Sequence, residues 1–85
     1  MGGWGVEYME VKVLFFGVLT EVSGTAVKHY QDVRSVGELR LRIQDDFPEI
    51  FHYNFRIAVN GEITDNDLLF KTGDEVALLP PFAGG

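Results

Sequence analysis

Ser35-Val36-Gly37-Glu38-Leu39-Arg40-Leu41-Arg42-Ile43-Gln44-Asp45-Asp46-Phe47-Pro48 is the stretch on which the fold turns. Ser35 followed three residues later by Glu38 fits a capping box, in which the hydroxyl accepts a bond from a first-turn backbone N–H and the carboxylate accepts one in return. The spacing predicts a helix that starts at Val36. Val36, Leu39, Ile43 and Phe47 recur at near-helical intervals and form one apolar stripe, Arg40, Gln44 and Asp45 fall off it, and Pro48 ends the run. A helix with a single apolar stripe needs a single apolar surface to cover.

That surface is written on both sides of the helix, where the period shortens to two. Val11 to Phe16 alternates, with Val11, Val13 and Phe15 on one face and Lys12, Leu14 and Phe16 on the other. Gly17 to Thr25 holds turn formers, including Ser23-Gly24, and reads as the long loop of an antiparallel hairpin whose second strand is Ala26 to Tyr30. Downstream, Phe55 to Asn60 alternates with Phe55, Ile57 and Val59 on one face, and Asn60-Gly61 is a turn signal. Thr72-Gly73-Asp74 makes another turn before Glu75 to Leu79, which sets Val76 and Leu78 inward and Ala77 and Leu79 outward. Pro80-Pro81 stops that strand. The order strand, strand, helix, strand, strand predicts an α+β fold, a sheet crossed by one main helix on one face. Leu14, Phe16, Ala58, Ala77 and Leu79 leave the opposite face partly apolar, which predicts a docking surface. The alternative is a shallow second core covered by Trp4 and the residues around it.

With 85 residues there is room for one core, and an apolar share of 46% with seven Phe fills it despite a net charge of −6. The chain contains no Cys, which excludes disulfides, thiolate metal sites and a cysteine nucleophile. Thirteen Asp plus Glu against seven Lys plus Arg disfavours nucleic acid, because phosphate neutralisation needs clustered cations. The apolar stretch Val13 to Leu19 is too short to span a membrane, and no signal-peptide pattern precedes it, so a cytoplasmic location is expected. Residues 1–9 read as a flexible leader, 10–79 as the folded domain and 80–85 as an extended tail. His29 and His52 lack ligand-spaced companions and Asp65-Asn66-Asp67 lacks the rest of a calcium loop, so no metal site is expected.

From about Glu10 to Gly85 the chain resembles the ubiquitin-like sulfur carriers of β-grasp fold, and within them the molybdopterin synthase small subunit. The resemblance is carried by Val11-Lys12-Val13-Leu14-Phe15-Phe16 and the Val59-Asn60-Gly61 turn. It is carried most specifically by Gly73-Asp74-Glu75-Val76-Ala77 leading into Leu79-Pro80-Pro81-Phe82-Ala83-Gly84-Gly85. It implies a mixed sheet with the first and last strands parallel neighbours. It also implies a working group at the Gly85 carboxyl, which a ubiquitin-activating-like adenylyltransferase activates with ATP and a sulfur donor protein converts to a thiocarboxylate. On this reading the chain binds no cofactor itself and is not an enzyme alone. A large subunit of the synthase completes it, and Phe16, Ile63, Leu79, Pro80, Pro81 and Phe82 meet the partners.

The ending suits that chemistry. Gly84 and Gly85 lack Cβ, so their backbone can thread a narrow channel. Pro80 and Pro81 hold φ near −65° and favour an extended path, so the six residues from Pro80 can reach roughly 18 to 20 Å from the sheet. Three other readings stay open: a carrier for thiamine, cysteine or another sulfur product; a protein modifier whose terminal glycine forms an isopeptide bond; and a plain β-grasp binding module.

Overall fold

The computed structural model describes residues 9–81. Of the expected leader only Met9 falls among them, and Phe82, Ala83, Gly84 and Gly85 lie outside them. Strand β1 (Glu10–Phe15) and strand β2 (Val27–Gln31) pair antiparallel, and β5 (Glu75–Leu79) lies parallel to β1 on its other side. β3 (Arg56–Val59) pairs antiparallel with β5, and β4 (Glu62–Thr64) completes the sheet in the order β2-β1-β5-β3-β4. This is the mixed β-grasp sheet, with the first and last strands adjacent and parallel.

Helix α2 (Val36–Asp46) crosses one face, and the stripe behaves as its spacing requires: Val36, Leu39 and Ile43 are buried and Phe47 packs half-buried at the C-cap. Ser35 Oγ accepts from the Glu38 N–H at 3.2 Å, and Glu38 Oε1 accepts from the Arg34 N–H at 3.0 Å, so the returned bond lands one residue before the cap. Opposite the stripe, Val11, Val13, Phe15, Val76, Leu78 and Ile57 are buried from three strands. Each side chain of this size taken fully from water contributes about 1.5 to 3 kcal/mol. A 3-10 helix (Pro48–His52) follows α2 and buries Ile50.

Besides that short 3-10 helix, unexpected from the sequence after Pro48, two elements depart from the expected pattern. The segment expected as a long loop contains helix α1 (Val18–Ser23), bounded by Gly17 and Gly24, with Leu19 buried beneath it. Gly24, at φ 76°, closes the helix by donating its N–H to Thr20 O, and Thr20 Oγ1 donates to Phe15 O at 2.8 Å. With six residues and a single buried position, α1 offers no periodicity to read. The other departure is β4, three residues long, which gives the sheet one strand more than expected. Its turn was legible: Asn60 and Gly61 both take positive φ, 51° and 89°, as the tight hairpin turn demands.

β2 lies at one sheet edge, and its free backbone groups are partly covered. The bond from Phe15 N–H to Ala26 O turns Lys28 and Tyr30 toward β1, which leaves Val27, His29 and Gln31 facing outward along the edge. Thr25 Oγ1 accepts from the Val27 N–H and donates to Val27 O, and Arg42 donates to Gln31 O. Beneath β2, the buried Tyr30 donates its hydroxyl to Asp46 Oδ2 at 2.8 Å, and Lys28 Nζ stands 3.5 Å from the same oxygen. Burial first, and then the hydrogen bond and negative charge of Asp46, push the Tyr30 phenol far above its ordinary range. Among the described residues no helix is long and apolar enough to cross a membrane.

Candidate functional site

β5 runs through the middle of the sheet, gripped by β1 on one side and β3 on the other. Val76 and Leu78 anchor it in the core, while Ala77 and Leu79 reach the far face half-buried. Pro80 and Pro81 lack the N–H that would extend the ladder, so the strand ends and the chain departs from the centre of the sheet rather than from an edge. Pro80 is half-buried. Pro81 is exposed and borders a shallow pocket with Asn54, Phe55 and Arg56.

On the face away from α2, cross-strand register sets five residues in one row. Val27 faces Leu14, Leu14 faces Ala77, Ala77 faces Ala58 and Ala58 faces Ile63, so an apolar line crosses all five strands. Ile63 and Val27, at its two ends, are 53% and 40% exposed. On the side away from the tail the next row is polar: His29, Lys12 and Glu75 lie in register. Lys12 Nζ stands 3.8 Å from Glu75 Oε2 and His29 Nδ1 3.7 Å from Glu10 Oε2. Toward the tail, Leu79 faces Arg56, whose Nη2 lies 3.4 Å from Asp65 Oδ2. Both partners of that pair are exposed, so it adds little to stability.

The expected contact residues divide accordingly. Ile63 joins the apolar row, Leu79 lies two positions beyond Ala77 on the same strand face, and Pro80-Pro81 continue from it. Phe16, 44% exposed, follows the last residue of β1. Phe82, Gly84 and Gly85 lie outside the described residues. Val27 and Arg56 were not singled out from sequence, because their membership depends on strand register, which alternation within one strand does not reveal.

An open pocket of about 330 Å³ lies at the β4 side, between the start of α2 and the strands, with Arg40, Arg56, Asp65 and Asp67 on its walls. Its charged groups have partners already: Asp67 Oδ1 accepts from the Gly37 N–H, Arg56 pairs with Asp65, and the Arg40 guanidinium sits over the rings of Phe51 and Phe55. Among the described residues no group of three His, Asp or Glu is arranged to hold a metal ion. The arrangement offers an apolar sheet face to another protein and carries the chain through Pro80-Pro81 away from the sheet beside it.

Residues 13–85 match the ThiS family. A molybdopterin synthase sulfur carrier subunit from Mycobacterium tuberculosis is 32% identical over 82 residues, covering 91% of this chain and 99% of that protein. Small archaeal modifier protein 1 from Methanosarcina acetivorans has a similar structure, with a TM-score of 0.78 and 25% identity over 93% of this chain and 99% of that one. So does the complex of subunits 1 and 2 of molybdopterin-converting factor from Helicobacter pylori, where the similar chain is 31% identical with a TM-score of 0.70, covering 91% of this chain and all, 100%, of that one.

Proposed function

The chain belongs to the ThiS family, and from that membership we propose that it is the sulfur carrier subunit of a molybdopterin synthase, with Gly85 bearing the sulfur as a thiocarboxylate. The observation that carries this reading is that the family match runs through Gly85 while β5 and Pro80-Pro81 lead the chain out of the sheet beside a face whose apolar row is exposed at its two ends, Val27 and Ile63.

The chemistry follows from what a carboxyl end can and cannot do. An α-carboxyl group with a pKa of about 3.5 is ionised at neutral pH, and its acyl carbon is inert toward nucleophiles. In an activating partner a carboxylate oxygen of Gly85 attacks the α-phosphorus of ATP, pyrophosphate leaves, and an acyl adenylate forms. A sulfide-level nucleophile from a sulfur donor protein then attacks the acyl carbon; the C–S bond forms, the C–O bond to phosphate breaks and AMP departs. The thiocarboxylate sulfur next attacks a carbon of the pterin precursor held by the larger subunit, the C–O bond at that carbon breaks, and water then cleaves the acyl–sulfur bond of the resulting thioester, leaving the sulfur on the product and Gly85 as a carboxylate. The apolar row, with Phe16 and Leu79, docks the carrier on each partner in turn. ATP is consumed in the partner, and this chain is a subunit rather than a complete enzyme. Incubated with the activating enzyme, ATP, magnesium and a sulfur donor, the intact chain gains the mass difference of sulfur for oxygen; an unchanged mass sinks the reading.

The likeness to the small archaeal modifier protein supports a second reading, a modifier joined through Gly85 to lysine. Covalent ladders on denaturing gels of cell extracts are expected of that reading alone. A carrier serving thiamine, cysteine or another product shares the same terminal chemistry and differs in the large partner that co-purifies.

A further inference from the structure

Two glycines bound helix α1, and both have positive φ, but only one of them touches the root of the tail. Gly17 stands at φ 58° and ψ −137°, a region that residues with a Cβ essentially do not enter. A Cβ built there would lie 2.9 Å from Pro80 Cγ and 3.8 Å from Pro80 Cδ. Gly24 stands at φ 76°, and a Cβ there would meet nothing within 4 Å. Glycine at 24 thus answers to backbone conformation alone, whereas at 17 it also leaves room for the first proline ring after β5. Ordinary carbon contacts lie about 3.5 to 4.0 Å apart, so a methyl at 17 requires a displacement of about 0.6 Å or more. The core resists movement at the other end of this contact: Phe15 and Leu78, each two residues before Gly17 or Pro80, are in register and buried.

We propose that Gly17 is a positioning residue: its bare backbone seats the Pro80 ring and thereby sets the direction in which the tail leaves the sheet toward an adenylating partner. The inference rests on the reading of Gly85 as the working group. In a channel that holds the tail extended, the five residues after Pro80 make a lever of about 17 Å, and a tilt of about 15° at its root moves the tip by about 4 Å. A shift of that size removes an aligned attack on the α-phosphorus while leaving the docking face untouched.

The test compares Gly17→Ala, Gly24→Ala and Pro80→Ala in the full chain by thermal melting and by pyrophosphate release with the activating enzyme. Both glycine variants lose stability through their positive φ. Gly17→Ala loses kcat on the order of tenfold with KM within about twofold, because docking persists and presentation fails. Gly24→Ala keeps wild-type kcat. Pro80→Ala, which leaves the Gly17 backbone unstrained, melts near the wild-type temperature yet also loses kcat, and it carries the test if Gly17→Ala does not fold. Full kcat in a folded Gly17→Ala or in Pro80→Ala, or an equal loss in Gly24→Ala, overturns the proposal. Failure of the carrier reading looks different: the wild type itself then releases no pyrophosphate. In that case NOEs between the Gly17 α-protons and the Pro80 ring decide the seat, and their absence overturns it.

Discussion

Gly37 donates its backbone N–H to Asp67 Oδ1 across 2.6 Å, so a carboxylate thirty positions downstream caps the start of α2 and ties the segment after β4 to it. A Cβ on Gly37 would stand 3.0 Å from the same carboxylate, so the missing side chain and the distant cap belong to one arrangement. Replacing Gly by Ala inside a helix gains up to about 1 kcal/mol. Displacing a charged acceptor from an exposed helix N-terminus costs a similar amount, roughly 0.5 to 1.5 kcal/mol. Gly37→Ala should therefore be near neutral in the wild type and stabilising by about 1 kcal/mol when Asp67→Ala is already present. Urea denaturation of the four proteins measures the cycle, and equal effects in both backgrounds would show that the two residues are not coupled.

Tyr30 makes stability depend on alkaline pH. Its folded-state pKa lies above the unfolded value of about 10, so the folded chain keeps a proton that the unfolded chain releases. The stabilisation is complete below pH of about 10 and declines as pH rises beyond it. Melting temperature should fall above that point more steeply in the wild type than in Tyr30→Phe. The ultraviolet titration difference between wild type and Tyr30→Phe should place ionisation of the native Tyr30 phenol well above its ordinary range; a difference signal centred near the free-phenol value of about 10 would contradict this.

The apolar row carries a prediction about partners. Ile63→Asp places a charge at the exposed end of that row, where docking would strip its water without supplying a counter-charge. We expect association with the large subunit and the activating enzyme to weaken at least tenfold by calorimetry, with the melting temperature little changed. Leu79→Asp should weaken it too, at a larger cost to folding because Leu79 is half-buried. Wild-type affinity of Ile63→Asp for both partners would remove the row from the docking surface.

Deleting Gly85, or adding one residue after it, should abolish thiocarboxylate formation without lowering the melting temperature. An added residue moves the reacting carbon by about 3.5 Å, more than an aligned attack tolerates. Mass spectrometry reads the result directly, and a shortened or lengthened chain that still takes up sulfur at the normal rate refutes the role of Gly85.

Much of this fold could be read from local pattern. The Ser35–Glu38 cap, the Val36-Leu39-Ile43 stripe and the alternation of β1 and β5 each extend over enough residues to show a period, and each lies where that period places it. Helix α1 and strand β4 were not legible because six and three residues are too few to show one. The relations that define the candidate site were hidden for another reason. Val27 beside Leu14, Arg56 opposite Leu79, Asp67 on Gly37 and Pro80 on Gly17 all join residues distant in sequence, and strand register and chain path alone bring them together.

The central, parallel placement of β5 also has a mechanical meaning. Tension applied between the start of β1 and the tail draws two parallel neighbours in opposite directions along their length, so their hydrogen bonds are loaded together in shear instead of opening one after another as in a peeled hairpin. β3 shares that load from the other side of β5. A partner that drew on the tail would thus pull against a rigid handle. Single-molecule stretching from these two ends should require markedly more force than stretching across the β3–β4 hairpin.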